Sequence, residues 1–106
     1  MPFKTLFIAH APDADKEKHR SFIDTGMYRL WTVIVKNQEE ALLVADEFVK
    51  NEGIETILLC PGFSHTDIAE IVKTVGANVA VSVSRGDGPG NRISQEALKR
   101  AGFFGK

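Results

Sequence analysis

The sequence lacks the features that would tie it to an oxidising compartment or to a membrane. A single cysteine, Cys60, excludes a disulfide within the chain. No apolar run approaches the about 20 residues that a membrane-spanning helix needs. The amino-terminal segment turns acidic after only about six apolar residues, too few for the core of a signal peptide. We therefore expect a soluble protein of the cytoplasm with no membrane partner.

Basic clusters are also missing. The chain has 13 Lys and Arg residues against 14 Asp and Glu residues, a formal net charge of −1. Binding to nucleic acid rests on clustered Lys and Arg, so we expect no nucleic-acid partner. The length of 106 residues, with 43% hydrophobic and 25% charged residues, is typical of one globular domain. We predict a single α/β domain over residues 1–106.

Four segments rich in β-branched, aromatic and other apolar residues predict strands. They are residues 3–9, 28–35, 54–60 and 79–84. The first is nearly continuously apolar from Leu6, which is typical of a strand covered on both faces. Three amphipathic segments with cap signals predict helices. These are residues 38–52 between Asn37 and Gly53, a second helix between Ser64 and Gly76, and a third that begins near Asn91 or Ser94 and ends at Gly102.

Residues 10–25, between the first two predicted strands, leave two topologies open. Asp13 can cap a short helix over residues 14–23, and strands and helices then alternate along the whole chain. Without that helix, the first two strands can form an antiparallel pair joined by a long loop. We predict the first arrangement, a three-layer α/β/α sandwich. Its mostly parallel four-stranded sheet has the Rossmann-like or flavodoxin-like order 2-1-3-4.

Unusual residues follow three of the four predicted strands. Ligands bind beyond the carboxyl ends of parallel strands, where the strand order reverses. The order 2-1-3-4 places this reversal between strands one and three. The end of strand two, residues 35–37, reads as a plain turn. The predicted ligand-binding residues are His10, Cys60, Gly62, Ser64, His65, Arg85, Gly86 and Asn91.

These residue types favour a small anionic ligand. Two of the segments lead into helix amino termini, which suit anions. The Arg85 guanidinium fits a carboxylate or a phosphate, and Gly62 and Gly86 allow close backbone approach. Asp87 is expected to stabilise the turn or to pair with Arg85. The segment SRGDGPGN is neither a Walker loop nor a dinucleotide fingerprint, so no cofactor is assigned.

The same residues also suit a small enzyme of the hydrolase, lyase or isomerase type. His10 or His65 would be the acid–base group, and Cys60 the nucleophile or a ligand. The structural alternatives are a buried Cys60 that acts as a small hydrophobe and a His65 that faces solvent. A catalytic metal would need all three side chains to converge, and their spacing matches no structural zinc motif. We therefore predict no metal site.

Aromatic residues suggest a third hypothesis, a self-associating interaction module. Phe103 and Phe104 near the carboxyl terminus either pack against the sheet or lie between two subunits. Trp31 joins the same contact if the second strand is an edge of the sheet. A homodimer is therefore one expectation.

Several segments in combination resemble a known family. They are IAHAPDAD, LLCPGFSH and SRGDGPGNR, together with VKNQEEA at the first predicted helix. The chain resembles, over essentially its whole length, a family of short, mainly bacterial proteins catalogued as a domain of unknown function. The resemblance implies a stand-alone single-domain protein and carries no activity or site residues with it. The site prediction therefore rests on the residues themselves.

Overall fold

The computed structural model of the chain describes residues 1–86 and 88–105. Its elements are β1 (Phe3–His10), β2 (Arg20–Asp24), β3 (Tyr28–Val35), α1 (Gln38–Glu52), β4 (Thr56–Leu59), α2 (His65–Val75), β5 (Ala80–Val83) and α3 (Asn91–Ala101). Within these described ranges, every helix is too short or too polar to cross a bilayer.

All five strands form one mixed sheet in the order β2-β3-β1-β4-β5. β1 is parallel to both of its neighbours, β3 and β4, and β4 is parallel to β5. β2 is antiparallel to β3 and forms an edge of the sheet. The α/β class is confirmed. The prediction of a four-stranded sheet is wrong, because β2 is an additional strand. The four predicted strands correspond to β1, β3, β4 and β5. The predicted order 2-1-3-4 therefore describes only the β3-β1-β4-β5 part of the sheet.

Residues 10–25 adopt neither of the two arrangements considered for them. Residues 20–24 form β2 instead of a helix, because Phe22 stacks on Trp31 of β3 with ring centroids 4.8 Å apart. The preceding segment crosses the carboxyl end of β3, where the backbone N–H of Ile34 donates to the carbonyl of His19. The chain then returns through a hairpin, so β1 and β3 are parallel and not an antiparallel pair.

The core lies between the sheet and the pair α1 and α2. Alternate side chains of the three central strands point to this side, and six of them are fully buried. They are Leu6 and Ile8 of β1, Val33 and Val35 of β3, and Ile57 and Leu59 of β4. Val44 and Phe48 of α1 and Ile71 of α2 complete the cluster. Each such side chain contributes about 1.5–3 kcal/mol through burial.

The helix caps confirm the local sequence signals. The Asn37 side chain accepts a hydrogen bond from the backbone N–H of Glu40 at the start of α1. Ser64 and Asp67 form a reciprocal capping box at the start of α2. Gly53 ends α1 with φ of 69°, in the left-handed region that favours glycine. These caps fix where the strand-to-helix connections turn.

The predicted three-layer sandwich is wrong for the part of the chain that the structure describes. The crossovers β3-α1-β4 and β4-α2-β5 advance in the same direction across the sheet. Right-handed crossovers therefore place both helices on the same face. α3 has no buried residue, and the segment that was expected to supply a further helix forms β2. The second face of the sheet, opposite α1 and α2, is thus left without a packed helix among the described residues.

Candidate functional site

A cavity of about 1080 Å³ lies beyond the carboxyl ends of β1, β3 and β4. α3 and the residues that follow it form its opposite wall. Small-molecule sites typically enclose about 300–1,000 Å³, so the space suffices for a ligand of ordinary metabolite size. β1 sits where the strand order reverses, the position at which open α/β sheets bind ligands.

His10 and Cys60 meet on the wall that the sheet contributes. They end adjacent parallel strands, and the backbone N–H of Cys60 donates to the carbonyl of Ile8. The Cys60 Sγ lies 3.9 Å from the His10 Nδ1. Gly62 stands beside the pair, and a Cβ there would lie 3.3 Å from Nδ1 and 3.5 Å from Sγ. The missing side chain at Gly62 therefore keeps this polar pair uncrowded.

His10 is held as a neutral imidazole at neutral pH. Its ring packs against the buried Phe63 ring with centroids 4.1 Å apart. Burial lowers the pKa of His10 from its ordinary value of 6.5, and the weaker effect of the Asp67 carboxylate raises it. A neutral ring offers one acceptor and one donor nitrogen. His10 is therefore a hydrogen-bonding or proton-accepting group and not a fixed cation.

The loop after β5 packs closely against the turn after β4. The backbone N–H of Ser84 donates to the carbonyl of Leu59, which extends the parallel pairing beyond β5. At Gly86, an added Cβ would lie 2.8 Å from the Cβ of Pro61. Only glycine fits this approach without a shift of one loop. The contact holds Arg85 at the cavity wall, whereas Asp87 lies outside the described residues.

The predicted ligand-binding residues divide into two groups. Those that line the cavity are His10, Cys60, Gly62, Arg85, Gly86 and Asn91. Ser64 and His65 do not line it. The Ser64 hydroxyl accepts a hydrogen bond from the backbone N–H of Asp67, and His65 is exposed at the first turn of α2. The structure thus separates His65 from the other two catalytic candidates, His10 and Cys60.

The end of β3 also contributes to the cavity, which the sequence analysis did not predict. Lys36, Asn37 and Gln38 line the wall next to His10. The sequence did contain a signal for this part of the cavity, because the predicted order already placed strand two beside strand one. The carboxyl ends of adjacent parallel strands lie together, so a cation at the end of strand two was a candidate.

The wall formed by α3 could not be predicted. Leu98, Phe103 and Phe104 line the cavity. The sequence shows that these side chains are apolar, but it contains no signal for where α3 is placed relative to the strand ends. Asp67 is a further wall residue, and its position in the first turn of α2 also suits the helix dipole.

Metal ligation is not favoured by the described part of the chain. No group of three or more His, Cys, Asp and Glu side chains there is close enough to hold an ion. Within residues 1–86 and 88–105, His10 and Cys60 are a pair without a third ligand of these types.

Comparison with protein families decides the relationship of this chain to others. The profile of a family of unknown function (DUF6506) matches residues 3–97. The chain belongs to this family. No curated protein and no solved structure matches it. The DUF6506 match covers all five strands, α1, α2 and most of α3, and therefore every residue of the strand-end wall.

Proposed function

We propose that this DUF6506 protein binds a small molecule that has an anionic group and an apolar body. The observation that carries the proposal is the two-sided character of the cavity. Lys36 and Arg85 lie among the strand-end residues of the lining. The α3 side contributes the large apolar residues Leu98, Phe103 and Phe104, besides the polar residues Asn91, Ser94 and Gln95.

The charge balance at the strand ends favours an anion. Lys36 and Arg85 are cationic, whereas His10 is neutral at pH 7 because of its burial. Among the wall residues that the structure describes, Asp67 is the acidic one, and one of its carboxylate oxygens accepts a hydrogen bond from the backbone N–H of Ser64. An ammonium and a guanidinium together suit a carboxylate or a phosphate, through charge-assisted hydrogen bonds.

The α3 side favours an apolar portion of the ligand. Phe103 and Phe104 expose 37% and 62% of their surface, and Leu98 is half-buried. A ligand that covers these side chains gains about 25 cal/mol for each Å² of apolar surface removed from water. The same contacts would attach α3 more firmly to the rest of the molecule.

Calorimetric titration with three molecules of matched shape tests the proposal. Phenylacetate, 2-phenylethanol and 2-phenylethylamine present an anion, a neutral group and a cation on the same ring. We expect phenylacetate to bind most tightly. Lys36→Gln and Arg85→Gln should each weaken phenylacetate binding by about tenfold, which is about 1.4 kcal/mol, and should leave 2-phenylethanol within about twofold. Leu98→Ala should weaken all three.

The matched control is Lys50→Gln, which removes an exposed lysine of α1 that pairs with Asp46 at 3.1 Å. It should not alter binding. Equal affinity for all three molecules, or no binding of any of them at millimolar concentration, would contradict the proposal.

A second candidate function is covalent catalysis by Cys60. The supporting observation is the 3.9 Å separation between the Cys60 Sγ and the His10 Nδ1. A neutral His10 accepts the thiol proton, and the thiolate then attacks an electrophilic carbon. Iodoacetamide measures this directly, because the thiolate displaces iodide. The enzyme hypothesis predicts faster alkylation than that of free cysteine at the same pH, and slower alkylation in His10→Gln. Equal pH profiles for both proteins would eliminate it.

A further inference from the structure

The open face of the sheet, opposite α1 and α2, has an unusual composition. We define it by the strand positions that point away from α1 and α2, of which Thr5 alone is buried. They are Phe3, Thr5, Phe7 and Ala9 of β1, Ser21 and Ile23 of β2, Tyr28, Leu30, Thr32 and Ile34 of β3, Thr56 and Leu58 of β4, and Ala80 and Ser82 of β5. None of these positions carries Asp, Glu, Lys or Arg, although 25% of the chain is charged. A sheet face that is solvated in the working protein normally alternates to polar side chains.

Apolar side chains are exposed across the width of the open face. Phe3 and Ile23 expose 48% and 58% of their surface, and Leu58 exposes 37%. Phe3 and Tyr28 stack across β1 and β3 with ring centroids 5.7 Å apart. The exposed groups thus extend from the β2 edge to β4. Contiguous apolar surface of this kind marks an interaction site.

The charged residues of the strands lie on the other side of the sheet. The Lys4 ammonium donates to the carbonyl of Glu52 at the end of α1. Arg29 pairs with Asp24 at 3.2 Å, and both occupy positions in register with the helix-covered side. The strands are therefore not simply poor in charge. Their charges are segregated away from the open face.

The surface area of the chain is large for its mass. It exposes 7023 Å² at 11.7 kDa, whereas a folded monomer of this mass exposes about 5900 Å². The excess, about 1100 Å², to which the unburied α3 also contributes, is larger than the about 800 Å² that each partner loses in a standard protein–protein interface. The radius of gyration of 14.2 Å also exceeds the about 13 Å expected for this length.

We propose that the open face packs against the open face of a second copy of this chain, across a two-fold axis. The uncharged surface offers nothing to a charged partner, but it is complementary to itself, as an isologous interface requires. Two such sheets form a sandwich with an apolar centre. The chain's own α3 leaves most of the open face uncovered, because Leu98, Phe103 and Phe104 line the strand-end cavity, which meets the open face only at Ala9.

This interface differs from the one suggested by the aromatic residues in the sequence. β3 is an internal strand, so Trp31 is not at a sheet edge. Its ring contacts Phe22 and Phe48 on the helix-covered side. Phe103 and Phe104 lie at the cavity. We keep the expectation of a homodimer, but we assign its interface to the residues of the open face.

Sedimentation equilibrium of the full chain, from about 1 to 100 μM, tests the proposal at the micromolar affinities that weak interfaces reach. We expect a mass of twice the chain mass of 11.7 kDa. Leu58→Glu should give a monomer, because each copy would bury an unpaired carboxylate. The matched control is Leu43→Glu, at a leucine of α1 that is 60% exposed on the opposite side of the molecule. This variant should remain a dimer. If circular dichroism shows that Leu58→Glu does not fold, Ile23→Glu on the edge strand β2 repeats the test.

Isotope-filtered NMR on the unmodified protein distinguishes the occupants of the face. In a mixture of labelled and unlabelled chains, we expect intermolecular contacts from the Leu58 methyl groups to the rings of Phe3 and Tyr28. Contacts from Leu58 to Ile93 or Leu98 within one chain would show that its own α3 covers the face, and would overturn the proposal. A monomer at all concentrations, or a folded Leu58→Glu dimer, would overturn it as well. A monomer or a folded Leu58→Glu dimer would leave ligand binding at the cavity unaffected, whereas a contact between Leu58 and Leu98 within one chain would also remove Leu98 from the cavity wall.

Discussion

α1 and α3 follow the same sequence pattern but have different surroundings. Each has apolar residues at helical spacing and ends at a left-handed glycine, Gly53 or Gly102. α1 buries four residues against the sheet, whereas α3 buries none. α1 also has a side-chain cap, Asn37, whereas α3 begins at Gly90 without one. An amphipathic stripe therefore indicates that a helix needs a covering surface, but not whether its own chain supplies one.

The difference separates stability from binding in this fold. α1 and α2 give the sheet its core, and most helical stability in proteins comes from such packing. α3 leaves its apolar groups available beside a cavity with Lys36 and Arg85 opposite. Under the proposed function, the ligand supplies the packing surface that α3 lacks in the free protein.

The largest expected effect is on the α1 side. Phe48→Ala removes a ring that is only 3% exposed and that contacts Trp31. We expect a loss of about 3–5 kcal/mol in the free energy of unfolding, measured by urea denaturation. The matched substitution Phe104→Ala, at a ring that is 62% exposed, should cost less than about 1 kcal/mol. Similar losses in the two variants would show that α3 belongs to the core.

The next largest effect on stability is expected where the loop after β5 packs against the turn after β4. Gly86→Ala places a methyl group 2.8 Å from the Pro61 Cβ, so one loop must shift. We expect a cost of up to about 1–3 kcal/mol in unfolding free energy, as for overpacking, and weaker phenylacetate binding. Gly88→Ala, also at the cavity, is the control, because among the described residues no atom beyond its own chain neighbours lies within 4 Å of the added Cβ. If Gly86→Ala bound phenylacetate like the unmodified protein, the position of Arg85 would be unimportant for binding.

A smaller effect is expected from the cap of α2. Ser64→Ala removes the oxygen that accepts from the Asp67 backbone N–H at 3.1 Å. We expect a loss of about 1 kcal/mol in unfolding free energy. Phenylacetate affinity should stay within about twofold, because Ser64 does not line the cavity. A large loss of affinity at full stability would assign Ser64 to the ligand instead.

The smallest effect is the pH dependence contributed by His10. Burial holds its pKa below 6.5 in the folded protein, so protonation favours the unfolded chain. The stability that neutral His10 contributes is present above pH 6.5 and is lost as the pH falls through the folded-state pKa. Urea denaturation at pH 7.5 and 5.5 should therefore show a smaller decrease for His10→Gln than for the unmodified protein. The control His65→Gln alters an exposed residue and should retain the original decrease.

Local signals in the sequence were sufficient for α1 and α2. Asn37 and Ser64 cap these helices through hydrogen bonds to backbone groups three residues away. Such bonds depend on neighbouring residues alone, so the sequence reveals them. β2 was missed because Phe22 and Ile23 are the only apolar residues of residues 20–25. Their strand conformation depends on pairing with β3 and on the Trp31 ring. These are contacts with another strand, so the residues next to β2 in the sequence do not reveal them.

By itself, the sequence determined the α/β class, the boundaries of the main helices and the types of residue at the strand ends. The tertiary structure decided which of these residues meet. His10 and Cys60 are 50 positions apart and become neighbours only because β1 and β4 pair in parallel. It also decided that one face of the sheet stays open, because two right-handed crossovers in the same direction place α1 and α2 on a single side. Handedness and strand order act over the whole chain, and no local pattern contains them.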